Sequence, residues 1–230
     1  MKGLLVKDFC YLGLNKKIYG IMAAIIVMAL FLGGNSSAEF LSGFMTSYLA
    51  VMLGFQVIGS ITLDEYRGGL KIILSMPVTR KEYVISKYIY AAVLTVIGGV
   101  AGYAISLAAT LIVNGMGGFD IIESLAYIIS ALAACMVLNA ILLPVQLKYG
   151  SDKGKMVIFV LVAAVLAAAF AAEKIGRTIG VDVDKVMNNI EIFFNGMNVT
   201  AAVLTGIIIT GVVLCVSILI SIRIVDNKEL

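Results

Sequence analysis

The chain has 230 residues, of which 61% are hydrophobic and only 13% charged, with a mean hydropathy of +1.07. Soluble domains carry about a quarter charged residues, so the composition excludes a water-soluble globular protein and requires lipid to cover much of the surface. A net charge of +3 is too small to mark a nucleic-acid binder, and the absence of histidine removes the commonest general base and the commonest metal ligand.

The first seventeen residues carry Lys2, Lys7, Asp8, Lys16 and Lys17. No small-residue cleavage site follows the next apolar run, so no cleavable signal is expected. Six stretches then approach the ~20 apolar residues that a helix needs to cross the hydrocarbon core. They are Ile18–Gly34, Phe40–Ile61, Val84–Val113, Leu125–Leu147, Met156–Ala172 and Val199–Ile222. An all-α polytopic membrane protein with six transmembrane helices follows, built as one transmembrane domain over residues 1–230. The third run is long enough to tilt or protrude. The fifth is short and Ala-rich, which suits close helix packing. Pro144 is expected to kink the fourth near its inner end.

Basic residues orient the spans. One side holds Lys2, Lys7, Lys16, Lys17, Arg67, Lys71, Arg80, Lys81, Lys87, Lys148, Lys153, Lys155, Arg223 and Lys228, and the other only Lys174, Arg177 and Lys185. The first side is therefore expected in the cytoplasm, with both termini. On the outer side, residues 173–198 form the longest loop. Val183, Val186, Met187 and Ile190 recur there at helical spacing, which fits either a short amphipathic helix or a polar loop resting on headgroups. Cys10, Cys135 and Cys215 lie far apart in apolar surroundings and are expected to be buried packing thiols, with neither a disulfide framework nor zinc spacing. No metal site is expected.

The link between the second and third spans, residues 62–83, is the most informative segment. Gly68-Gly69 releases the helix that emerges from the membrane. Leu70, Ile73 and Leu74 share one helical face while Lys71 and Ser75 fall elsewhere, and Met76-Pro77 stops the helix. Thr79-Arg80-Lys81-Glu82 spells a capping box, with Thr79 and Glu82 exchanging hydrogen bonds, and Val78 and Tyr83 stand at the positions of a hydrophobic staple. The pattern predicts a short helix parallel to the membrane, braced between two spans. An ordinary interfacial loop fits the same pattern.

The chain carries no nucleotide-binding loop. Gly150-Ser151-Asp152-Lys153-Gly154-Lys155-Met156 is too short in spacing, and Met156 replaces the hydroxyl residue that a phosphate loop needs. No Asp, Glu, Lys or Arg is placed near mid-bilayer, which weakens ion-coupled transport. The milder polar residues Thr46, Gln56 and Asn139 are candidates to line a pathway, and helix-to-helix hydrogen bonding is their alternative role. Gly98, Gly102 and Ser106 form a small-residue stripe that serves either packing within the chain or a contact between subunits. A pathway without fixed charge suits an amphipathic or hydrophobic cargo.

From Asp64 to Lys87, the acidic-Tyr-Arg-Gly-Gly opening, the Ile-Leu-Ser-Met-Pro-Val-Thr-Arg-Lys core and the Ser86-Lys87 close resemble the cytoplasmic loop of type-two ABC exporter membrane subunits. More narrowly, the chain resembles the small six-span permeases of Gram-positive bacteria that include phenol-soluble-modulin and antimicrobial peptide exporters. Met1-Lys2-Gly3-Leu4-Leu5-Val6-Lys7-Asp8 is similar to that group's start. The resemblance implies a permease of the bacterial plasma membrane whose residues Leu70, Lys71, Ile73, Leu74, Ser75, Met76 and Pro77 dock on a separate P-loop ATPase. It also implies an interfacial helix within residues 1–17 and a minor ATPase contact at Lys148–Lys155. Two ATPase copies, holding ATP and Mg, and a second permease copy or close relative would complete the machine. This chain would bind no cofactor and catalyse no reaction. An ATP-independent immunity protein or secondary transporter is the alternative. An intramembrane enzyme is disfavoured, because the spans lack histidine and carboxylates.

Overall fold

The computed structural model describes residues 2–14, 16–32, 38–66, 69–75, 77–114, 128–150, 156–157, 159–160, 163, 167 and 199–227, and among them every regular element is helical. In chain order these are α1 (Lys2–Leu14), α2 (Lys16–Leu32), α3 (Ala38–Gly54), α4 (Gln56–Glu65), α5 (Gly69–Ser75) and α6 (Arg80–Asn114). α7 (Ile128–Gly150) and α8 (Val199–Asp226) follow.

Four helices among the described residues are long and apolar enough to cross a membrane: Gly43–Glu65, Arg80–Ala108, Ile128–Gly150 and Val203–Asp226. They coincide with the second, third, fourth and sixth apolar runs. The first run is represented by a shorter apolar helix, Tyr19–Ala29. Most of the fifth run and the whole of residues 173–198 lie outside the described residues. The chain is thus a helical, multi-pass membrane protein.

The second span is longer than its apolar run. α3 and α4 are joined through Phe55, where the amide of Phe55 still donates to Val51 (2.9 Å) and Ile58 donates to Phe55 (3.0 Å). The helix therefore continues to Glu65, one turn beyond the last apolar residue expected within the bilayer. Tyr66 then leaves the helix with φ −59° and ψ 128°.

α3 and α6 form the tightest pair, and the reason lies in two glycines. A Cβ added at Gly98 would fall 2.8 Å from the Leu49 carbonyl carbon and 2.9 Å from the Ala50 Cα. One added at Gly102 would fall 2.7 Å from the Thr46 Cα. Backbone meets backbone at both positions, so the stripe serves packing within this chain. Ser106 continues it, buried and bonded to its own helix at Tyr103 O (3.0 Å).

α7 runs unbroken through Pro144. Proline has no N–H, which leaves the carbonyl of residue i−4, Ala140, without its helical donor. Ser217 of α8 donates its hydroxyl to that carbonyl. Ser217 and Ser221 in turn share hydrogen bonds with the buried Tyr88 hydroxyl, at 2.5 and 2.8 Å. One proline thus explains how an otherwise apolar helix is fastened: within lipid a freed carbonyl has to be satisfied by a neighbour. Ser217→Ala is expected to cost roughly 1–3 kcal/mol by orphaning a buried acceptor, read as a lower melting midpoint in detergent. An unchanged midpoint would contradict the role of Ser217. Beyond this seam α8 is outward-facing, with Leu204, Ile208, Val212 and Leu219 all exposed as befits contact with lipid.

Of the three thiols, Cys135 is buried, but Cys10 and Cys215 are exposed. The expectation that all three pack inside fails because these two sit on the outward faces of α1 and α8.

Candidate functional site

The ends of α4, α6, α7 and α8 converge near the turn that holds α5, and the middle of α1 reaches the end of α4. Lys7 of α1 pairs with Asp64 of α4. Gly150, which closes α7 with a left-handed φ of 77°, lies so that an added Cβ would be 3.2 Å from Glu65 Oε2. Arg80, the first residue of α6, donates to the last carbonyls of α8, Val225 O at 2.8 Å and Asp226 O at 2.6 Å. An arginine at a helix C-terminus satisfies orphan carbonyls and complements the negative end of the helix dipole.

Within this convergence α5 is a seven-residue helix with an inner and an outer side. Leu70 is 6% exposed and belongs to the same apolar cluster as Ile61, Tyr83, Val84, Leu147 and Val225. Ile73 packs against that cluster. Ile72 is 62% exposed, and Ser75 and Pro77 are also exposed. Leu70 and Ile73 were expected among the residues that dock on a partner. In the structure both pack on the chain's own apolar cluster, because the apolar face of so short a helix is more stable there than in water. The side chains of Lys71 and Leu74, and residue Met76, lie outside the described residues.

The exit from α5 is fixed by reciprocal bonds. The Thr79 amide and hydroxyl donate to Glu82 Oε2 at 2.9 and 3.1 Å, and the Glu82 amide donates to Thr79 Oγ1 at 3.2 Å. Two amides that helix geometry leaves unpaired are thereby satisfied, and α6 starts at a defined residue.

Behind α5 lies a cluster that sequence reasoning missed. Lys87 is fully buried two turns into α6, and Asp8 of α1 and Asp64 of α4 are nearly so. The Lys87 ammonium lies 2.8 and 2.9 Å from the two oxygens of Asp8, 2.6 Å from Asp64 Oδ2 and 2.7 Å from Ser60 Oγ. Its three N–H donors are thus matched by three residues on two other helices. The Ser60 hydroxyl donates to Asp8 Oδ1 (2.7 Å), and the Tyr83 hydroxyl donates to Asp64 Oδ2 (3.3 Å). Lys7, partly exposed, completes the group at 3.3 Å from Asp8 while paired with Asp64. Two ammoniums face two carboxylates, so the knot is neutral as a whole.

Lys7 and Lys87 had been counted simply as charges on the cytoplasmic side. The signals that could have found the knot are visible in hindsight. Lys87 falls inside an apolar run, four residues after Tyr83, and Asp8 interrupts the apolar face that Leu4 and Leu12 share on α1.

The candidate lining residues are all buried among the chain's own helices. Thr46 (2% exposed) lies where α3 meets Gly102, and Gln56 opens α4. Asn139 donates to Thr95 Oγ1 (3.3 Å), which donates to Ala91 O (2.8 Å). Gly54 makes room for this pair, since an added Cβ would sit 2.8 Å from both polar tips. The structure brings Asn139 and Gly54 together across α7 and α3, and it places Thr46 at a helix contact instead. Asn139 Oδ1 has no hydrogen-bond partner among the described residues. Those residues contain no group of acidic, cysteine or histidine side chains able to hold a metal ion.

A family model described as ABC-2 family transporter protein matches residues 3–226. No curated protein and no solved structure matches the chain.

Proposed function

The chain belongs to the ABC-2 family of transporter proteins, a transporter rather than an enzyme, and from that premise we propose that it is the permease subunit of an ATP-driven exporter in a bacterial plasma membrane. A separate P-loop ATPase, in two copies with ATP and Mg, would dock from the cytoplasm. A second permease copy or a close relative would complete the pathway.

The observation that carries this reading is the two-sided α5. Its outer side offers Ile72, Ser75 and Pro77, while Leu70 and Ile73 fasten its inner side to the ends of two spans. A protein that pushes on Ile72 therefore pushes on α4 and α6 together. Docking rests on Ile72, Ser75 and Pro77, with Lys71, Leu74 and Met76 as neighbours in sequence.

Six crossings with cytoplasmic termini fit the same end-to-end contacts. α7 ends beside Glu65 and α8 ends at Arg80, both at the α5 end of the bundle. One further crossing is needed between them, and Met156–Ala172 is the apolar run that could supply it. The positive-inside bias places this end in the cytoplasm.

The cargo is amphipathic or hydrophobic, as cytolytic and antimicrobial peptides are. All described charges of the Arg80–Ala108 span lie within its first two turns, and the unpartnered Asn139 Oδ1 suits a pathway that opens only when helices part.

The test is co-expression and co-purification with a candidate P-loop ATPase partner. Wild type is expected to retain the ATPase. Ile72→Asp is expected to lower its recovery about tenfold, the effect of ~1.4 kcal/mol, with permease yield unchanged because Ile72 faces outward. Full retention by Ile72→Asp would rule out docking at α5.

A further inference from the structure

We propose that the Lys7–Asp8–Asp64–Lys87 knot is a positioning site that binds α1 into the moving body, so that displacement of α5 carries the N-terminal helix along with α4 and α6. The proposal rests on the permease reading above and adds to it a part that α5 alone does not require.

α5 follows α4 and precedes α6, and α1 packs against both of these helices. Three kinds of contact attach it. The Phe9 ring meets Tyr90 of α6 edge-on, with centroids 5.3 Å apart. The Tyr11 ring lies over Gly59 of α4, where an added Cβ would be 3.2 Å from its Cζ. The charged knot joins α1 to both at once, through Asp8 to Lys87 and Ser60 and through Lys7 to Asp64.

These contacts differ in how they respond to sliding. Burial of apolar surface is non-directional, and an aromatic pair contributes only about 0.5–1.5 kcal/mol beyond it. The knot is directional and buried: Lys87 has all three donors used, by Asp8 of one helix and by Ser60 and Asp64 of another. Drawing α1 away would leave Lys87 and Asp64 buried with part of their compensation gone, and uncompensated buried charge is strongly unfavourable. Drawing α4 away would strand Lys87 and Asp8 in the same way. Separation of any one helix is therefore opposed far more steeply than the remaining contacts would oppose it, and the three helices shift as one. A role in stability alone would be served as well by apolar side chains of similar volume. What charge adds is a fixed register between helices.

The experiment uses the full permease–ATPase complex in lipid nanodiscs, with one permease copy spin-labelled at the native, exposed Cys10 of α1 and at Leu63→Cys, an exposed position on α4. Cys135 and Cys215 are replaced by alanine. The inter-label distance is measured without nucleotide and after trapping with ATP and vanadate. In the otherwise wild-type chain the distance is expected to stay the same and narrowly distributed in both states. In Asp8→Asn/Lys87→Met, which keeps the knot neutral, trapping is expected to broaden and shift it, and the stimulation of ATP hydrolysis by the permease is expected to fall severalfold. A shift of about one helical turn, ~5 Å, in the wild-type pair would overturn the proposal. So would a double variant whose distances and stimulation match wild type. Should the double variant fail to assemble, the wild-type distances alone decide. If wild type itself forms no trapped complex with the ATPase, the permease reading fails instead, before any variant is compared.

Discussion

Lys87→Met is expected to destabilise the folded chain by about 3–5 kcal/mol, the cost of removing one partner from a buried ion pair. Methionine is unbranched, flexible and close to lysine in volume, so loss of volume contributes little. The cost arises from Asp8 and Asp64, which would remain buried with only the partly exposed Lys7 to compensate both. Melting in detergent, or the yield of monodisperse protein, measures it. Asp8→Asn in the same chain restores neutrality and is expected to recover at least half of the loss. Equal instability of the single and double variants would show that shape, and not charge, governs the site.

The second large effect concerns the α3–α6 seam. Gly98→Ala/Gly102→Ala places two methyl groups against the backbone of Leu49, Ala50 and Thr46. Backbone cannot rotate aside as a side chain can, so the helices must separate. A loss of about 3 kcal/mol is expected, at the upper end for overpacking. Gly206→Ala/Gly211→Ala is the matched control, because an added Cβ at either position meets nothing within 4 Å. There the same chemical change is expected to be neutral or slightly stabilising, since alanine is the better helix former. Similar effects for the two pairs would refute the close approach.

Composition and apolar run length were enough to reveal the membrane class and four of the helices, because lipid imposes length and apolarity on each span separately. The small-residue stripe was visible as a period of four. Its partner was not, since spacing along α6 says nothing about which helix lies opposite. The charged knot was missed for a related reason. Asp8 and Lys87 are 79 residues apart in sequence, and counting charges by loop treats each as solvated. Only the chance that both interrupt apolar faces hints that they meet. For α5, Leu70 and Ile73 were correctly read as sharing a face, but a pattern of one apolar face does not tell whether it turns toward the chain's own spans or toward a partner. Leu70 belongs to the same buried cluster as Ile61 and Tyr83, which turns that face toward the chain's own spans and leaves Ile72, Ser75 and Pro77 exposed.

The most direct test of the central claim is the rate of ATP hydrolysis by a candidate P-loop ATPase partner, measured in liposomes with and without this chain. If the chain is the permease, the ATPase is expected to bind the liposomes only when the chain is present, to change its hydrolysis rate severalfold on binding, and to lose both responses with Ile72→Asp. An ATPase that stays in solution and hydrolyses ATP at the same rate with or without the chain would contradict the account.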